Sequence, residues 1–267
     1  MLLKSLFHPL QPSTLVHGLG TVCYKEFKPS LDLSDYVYCY WQLSSAEPLE
    51  HEFQYRVVSD GCIDILINRF ESKVYITGFS KHYLEYNLGR AFDYIGIRFY
   101  PFQFPLLFDI SAAQLVDTFV NLEALLPDLN ANIQSKICTG DQDWQQQFDL
   151  LLKHHLTKPN RISSLDARLI NAIDQILRSG GNTPIHRLNL ALSQRQLRRF
   201  FKFYFGESPK VFAKVLRFQN VLKAYMSQQN GIDESVFYET GYYDQAHFIR
   251  DFKRFYGVTP SQVFGDY

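Results

Sequence analysis

Along the first hundred residues, apolar and polar positions alternate. In residues 55–68, YRVVSDGCIDILIN, Ile63, Ile65 and Ile67 recur with period two after an Asp60-Gly61 turn, which predicts a hairpin with one buried face. The runs YVYCYW, KVYITGF, YLEYNL and YIGIRFYP have the same strand character. The pattern then lengthens to a helical period. SAAQLVDTFVNLEALL (residues 111–126) reads as a helix, as does DWQQQFDLLLKHHL (residues 143–156), which sets Trp144, Phe148, Leu151 and Leu152 on one stripe. Further on, Leu165, Leu169, Ile173, Ile176 and Leu177 mark an amphipathic helix stopped by Gly180-Gly181, and the strong periodicity from there onward is helical.

The segment TKPNRISS, residues 157–164, separates two regions of opposite charge. Residues 158–267 hold 16 Lys and Arg against 9 Asp and Glu, a net +7, while residues 1–157 hold 11 against 18, a net −7, so the zero total conceals a basic half suited to a polyanion. The expected architecture is α+β: a β-rich, cupin-like or similar domain over 1–157 ending in a helical connector, then an all-α domain over 158–267. Composition is that of a globular chain, 46% hydrophobic and 20% charged. No apolar run approaches a membrane span, so a cytoplasmic location without membrane contact is expected.

The all-α half contains a repeat. Residues 193–209, SQRQLRRFFKFYFGESP, align without a gap on residues 244–260, DQAHFIRDFKRFYGVTP. Identities fall at Gln194/Gln245, Arg199/Arg250, Phe201/Phe252, Lys202/Lys253, Gly206/Gly257 and Pro209/Pro260. Ser193 and Asp244 are N-cap residues, with Gln196 completing a capping box in the first copy. Leu197, Phe201 and Tyr204, like Phe248, Phe252 and Phe255, face the core. Gly206 and Gly257 end the helices, and Ser208-Pro209 and Thr259-Pro260 open the next ones. The opposite face carries Arg195, Arg198, Arg199 and Lys202 in the first copy, and Gln245, Ala246, Ile249, Arg250 and Lys253 in the second. Arginine and glutamine read guanine and adenine edges in the major groove, and Ile or Ala meets a thymine methyl. Between the copies, residues 208–231 predict a helix of about 19 residues with Val211, Val215, Phe218, Leu222 and Tyr225 on one stripe. At 1.5 Å per residue it spans about 28 Å, close to one turn of B-DNA.

In residues 241–264, GYYDQAHFIRDFKRFYGVTPSQVF, and more broadly over 165–267, the chain resembles the AraC/XylS family of bacterial transcription regulators. The resemblance implies two helix-turn-helix units on a connecting helix, sequence-specific binding of double-stranded DNA, and transcriptional control, activation included, through RNA polymerase. It places base reading on Arg195, Arg198 and Arg199, and on Gln245, Ala246, Ile249 and Arg250, with His247 and Lys253 nearer the DNA backbone. Against the family pattern, TPIHRLNLALS (residues 183–193) is about two residues short, Ala191 stands where the turn usually has Gly, and Phe237 where Ala is usual. SDGCIDILIN and GIRFYP resemble a β-rich domain of uncharacterised role found in front of such units, with Ser59 in place of the usual proline. In the wider family such domains bind small molecules or dimerise. A sensing domain for an unknown effector, and a homodimer, are therefore expected.

The alternative is that the first half is an enzyme or a pure assembly module tethered to DNA by the second. Little chemistry supports an enzyme. His8, His17, His51, His82, His154, His155, His186 and His247 form no H-x-H or H-E-x-x-H motif, and the His154-His155 pair is expected to be exposed. Cys23, Cys39, Cys62 and Cys138 form no C-x-x-C pair and are expected to be buried free thiols. Asp60, Cys62 and Asp64 share the strand face opposite the isoleucines, with no histidine nearby in sequence. No catalytic residue, metal site or cofactor is expected.

Overall fold

The computed structural model describes residues 6–11, 21–138, 143–156, 166–188, 190–227 and 235–264. The strand-rich part forms two antiparallel sheets. Six strands, β1 (Val22–Phe27), β2 (Val37–Ser45), β4 (Ile63–Asn68), β5 (Lys73–Thr77), β7 (Asp93–Phe99) and β8 (Phe119–Asn121), run in the order β1-β2-β7-β4-β5-β8, while β3 (Gln54–Val57) and β6 (Leu84–Asn87) pair apart.

Ile63, Ile65 and Ile67 do share a face. It is covered by α1 (Gln103–Phe108), α2 (Pro127–Ile133), which runs on into a π-helical turn Gln134–Cys138, and α3 (Trp144–Leu156). The other face closes over the β3–β6 pair, so β4 is buried on both sides rather than one. The expected hairpin across Asp60-Gly61 does not form, because β3 pairs with β6 and β4 with β5 and β7. Asp60 instead folds back to accept from Cys62 N at 2.9 Å, and Gly61 takes φ +77°, so the turn carries the chain from one sheet to the other.

Residues 111–126 depart from the expected helix. Ser111 and Asn121 accept from Ala113 N and Glu123 N, opening two separate 3-10 turns, Ala112–Gln114 and Leu122–Ala124. Between them Asp117 adopts φ +53° and Phe119–Asn121 pairs with β5 as β8. Local side-chain caps win over apolar spacing here. α3 forms as expected, with Phe148, Leu151 and Leu152 buried and Trp144 edge-on to Tyr40 and Phe148.

The C-terminal half is helical: α4 (Ala167–Arg178), α5 (Gln194–Tyr204), α6 (Pro209–Ser227), α7 (Ser235–Glu239), α8 (Gln245–Tyr256) and α9 (Pro260–Phe264). Gly180 and Gly181, at φ +60° and +76°, end α4. The segment expected to join the halves lies outside the described residues, apart from their contact. One hydrophobic core holds Phe7, Val58, Cys62, Phe79 and Tyr100 together with the buried faces of α4, α5, α6 and α8. Phe7 packs on Phe212 of α6, and Phe102 on Phe205 after α5.

Of the thiols, Cys39 and Cys62 are buried and Cys23 is exposed, since it alternates outward on edge strand β1; the side chain of Cys138 lies outside the description. His154 is exposed, but His155 is half-buried against the Phe108 ring at 4.9 Å, because adjacent helix positions face different ways.

Candidate nucleic-acid interface and ligand cavity

α5 and α8 each begin at a defined residue. Ser193 accepts from Gln196 N in a complete capping box, and Asp244 accepts from His247 N at 2.6 Å. Leu197 and Phe201 of α5, and Phe248, Phe252 and Phe255 of α8, are buried. The helices end at left-handed glycines, Gly206 at φ +82° and Gly257 at φ +100°. α6 then opens at Pro209 and runs for 19 residues, as its spacing predicted.

With the apolar faces inward, Arg195, Arg198, Arg199 and Lys202 of α5 are exposed, as are Gln245, Ala246, Arg250 and Lys253 of α8; Ile249 is half-buried. Lys202 Nζ donates to Gly206 O at 2.9 Å, and Arg199 lies over the Phe200 ring. His247 is turned inward. Its Nε2 lies 3.3 Å from Asp251 and its ring packs on Tyr242, so it braces the helix. Asp251, only 2% exposed, also accepts from Lys214 Nζ of α6 at 3.0 Å.

The two units differ in what precedes the recognition helix. α7 packs before α8, and Phe237 stacks on Phe248 with ring centres 4.0 Å apart, filling the space an alanine would leave. Before α5, the helix expected near Thr183 is reduced to one 3-10 turn, Ile185–Arg187, consistent with the short segment there. Tyr238 and Tyr243, 59% and 88% exposed, flank the start of α8. Sequence reasoning passed over both. The available signal was an aromatic pair bracketing the turn ahead of an N-cap.

A cavity of about 280 Å³ lies between the two sheets of the strand-rich domain. Strand alternation points Arg98 of β7 and Asp64 of β4 into it. Arg98 Nη2 donates to Asp64 at 2.9 Å, and its Nε lies 3.6 Å from Asp60. Trp41 Nε1 donates to Asp64 at 3.0 Å, its ring lying over Gly96, where any Cβ would sit 2.4 Å from the indole. Burial pushes the Asp64 carboxyl up to about 6 against the opposing pull of Arg98. Burial also pushes the Cys62 thiol up, away from the thiolate a nucleophile needs. Among the described residues no group of three or more His, Cys, Asp or Glu is placed to hold a metal ion, and no helix is long and apolar enough to cross a membrane.

The cavity wall is joined to the helical half. Gln11 donates to Asp60 Oδ2 and to Val58 O, and accepts from Val58 N. Beside it, Leu10 N donates to Gln219 Oε1 of α6 at 2.7 Å, and Gln219 Nε2 donates to Ser59 O at 2.9 Å. Ser59 N in turn donates to Phe255 O of α8, a bond that the proline usual at this place lacks the N–H to make. Tyr83 N donates to Arg254 O, and Arg254 Nε to Lys81 O.

Residues 189–265 match a family model described as a helix-turn-helix domain, and residues 25–121 one described as a domain of unknown function, DUF6597. No curated protein matches the chain at a significant level. Among solved structures, apo ToxT from Vibrio cholerae aligns over 91% of this chain and 95% of that one, at 11% identity and a TM-score of 0.37. ToxT bound to (E)-4-(8-methylnaphthalen-1-yl)but-3-enoic acid aligns over 92% and 95%, at 13% identity and 0.39. Likeness at these scores decides nothing about function. The family match over the two helical units is what places the chain: it is a DNA-binding transcription regulator with an AraC-type helix-turn-helix domain at its C-terminal end and a DUF6597 domain toward its N-terminal end.

Proposed function

We propose that α5 and α8 enter successive major grooves of one duplex, held apart by α6, and that the cavity of the 1–157 domain takes an effector that changes how the 158–267 domain engages DNA. Arg195, Arg198, Arg199 and Lys202 face the first groove, and Gln245, Ala246, Ile249, Arg250 and Lys253 the second. His247 braces α8 through Asp251 rather than touching the backbone. Tyr238 and Tyr243 reach phosphates at the entry of α8. The observation that carries the DNA-reading part is the segregation of exposed basic and polar side chains from the buried aromatics on both capped helices. The effector part is supported by the hydrogen-bonded bridge from Asp60 through Gln11 and Leu10 to Gln219, which ties the cavity wall to the helix carrying both units.

Anisotropy titration of the full chain with a duplex selected from a random pool tests this reading. Binding weakens with salt by about 0.9 log units per log unit of salt for each phosphate neutralised. Salt-independent binding, or equal affinity for all duplexes, would overturn the reading.

A further inference from the structure

The cavity holds polar groups but leaves few of them free. Asp64 accepts from Trp41 and Arg98, and Asp60 from Gln11 and Cys62 N. The Asn68 side chain is engaged by the Tyr94 hydroxyl and by the N–H groups of Phe70 and Glu71. A polyol needs many unpaired donors and acceptors, and the Asp60, Asp64 and Asn68 side chains are already engaged.

What the walls still offer is π surface and charge. Trp41, Tyr55, Tyr75, Tyr86, Tyr94 and Phe119 line the cavity, and aromatic faces present negative potential. Among the described residues lining it, Arg98 is the one cation, against Asp60, Asp64 and Glu71. Glu71 is exposed and paired with Lys73, so the interior keeps one Arg and two Asp, a formal excess of one negative charge. Asp60, Asp64 and Arg98 are all buried, which weakens solvent screening of that excess. An anion meets the excess and the ring faces together. A hydrocarbon leaves the charge uncompensated.

We infer that this cavity binds a small organic cation of the ammonium class, its charge held among the aromatic faces in the field of Asp60 and Asp64. An oxygen on the same molecule accepts from Arg98 Nη1, which is buried without a hydrogen-bond partner in the protein. This rests on the reading of the cavity as the effector site and adds the chemistry of its occupant.

Calorimetric titration of the full-length protein with choline and tetramethylammonium tests it. The uncharged isostere 3,3-dimethylbutan-1-ol, the anion 3,3-dimethylbutyrate and glucose serve as comparators. Choline is expected to bind roughly tenfold or more tightly than the isostere. Tyr55→Leu and Tyr86→Leu are each expected to weaken choline several-fold while leaving the isostere within about twofold. The proposal is overturned if neither cation binds, or if the isostere, the anion or glucose binds as well as choline. The comparison among probes on the unaltered chain holds even if a variant fails to fold. DNA anisotropy with and without choline separates the two readings: choline that binds selectively but leaves DNA affinity unchanged sinks the effector reading and not the ligand class.

Discussion

Where the first helix-turn-helix unit has Phe200, the second has Asp251, and the neighbourhoods of the two helices diverge from there. Asp251 is buried, and draws Lys214 of α6 and His247 of its own helix into one polar cluster behind α8. Phe200 is half-buried, with Arg199 over its ring. α8 also has α7 packed before it, whereas α5 follows a single 3-10 turn. The first unit packs its apolar end on the strand-rich domain. Phe205 at the end of α5 meets Phe102, and Gly206 lies against the Ala112–Val116 turn, where an added Cβ would sit 2.5 Å from Val116 and 2.8 Å from Ala112 O. Two copies of one sequence pattern can thus be held by different means: the first rests on the domain that contains the cavity by apolar packing, while the second is bonded to that domain through Phe255 and Arg254 and adds a buried polar brace of its own.

The contrast is broken most sharply at the terminal glycines. Gly206→Ala adds left-handed strain and a clash with the backbone of Ala112, for about 2 to 4 kcal/mol. Gly257→Ala adds similar strain but its nearest neighbour is the Tyr83 ring at 2.9 Å rather than backbone, for about 1 to 3 kcal/mol. Thermal unfolding gives the ranking.

Asp251 sharpens the contrast next. Replacing it with alanine removes the buried acceptor of Lys214, which is itself half-buried, and is expected to destabilise the protein by about 1.5 to 3 kcal/mol. Phe200→Ala, which gives up only part of a side chain's burial, is expected to lose roughly 1 to 2 kcal/mol. Urea unfolding of both variants checks the order, and an equal loss removes the distinction between the braces.

On DNA, Arg250→Ala is expected to lose about 1 to 3 kcal/mol on the best site and to relax base preference, whereas Arg198→Ala weakens good and poor sites more evenly. Competition against a randomised duplex library decides between them, and the reverse outcome transfers sequence reading to the first unit. The smallest effect separates the matching lysines. Lys253→Ala is expected to flatten the salt dependence by about 0.9, the value for one phosphate contact. Lys202→Ala flattens it less, because that ammonium is already drawn toward Gly206 O.

The helical half was legible because its signals are local. Caps at Ser193 and Asp244, glycine stops and an exact repeat spacing depend on residues within one or two turns of each other. The strand-rich half was legible only in part. Alternation in Ile63–Ile67 assigned the faces correctly, yet nothing in YRVVSDG tells β3 that its partner is β6 rather than β4. Residues 111–126 carry helical apolar spacing, but Ser111 and Asn121 cap short turns inside it, and such side-chain competition does not register as periodicity. The bridge between the halves was invisible. Gln11, Ser59 and Gln219 are ordinary polar residues until the fold brings them together, and Arg98 reads as one charge on a strand until Asp60 and Asp64 face it.

The strap around Phe7–Gln11 also bears on the order in which the molecule is assembled. Leu10 meets Gln219 across 209 positions of chain, so this contact has no partner until α6 has been made, whereas Gln11 can bond Val58 and Asp60 much earlier. The strand-rich domain, with its nearer pairings, can close well before that, as N-terminal domains commonly do during synthesis. The links between the cavity wall and the helical half therefore close in sequence, Gln219 with α6 first and the Ser59–Phe255 bond only once α8 exists.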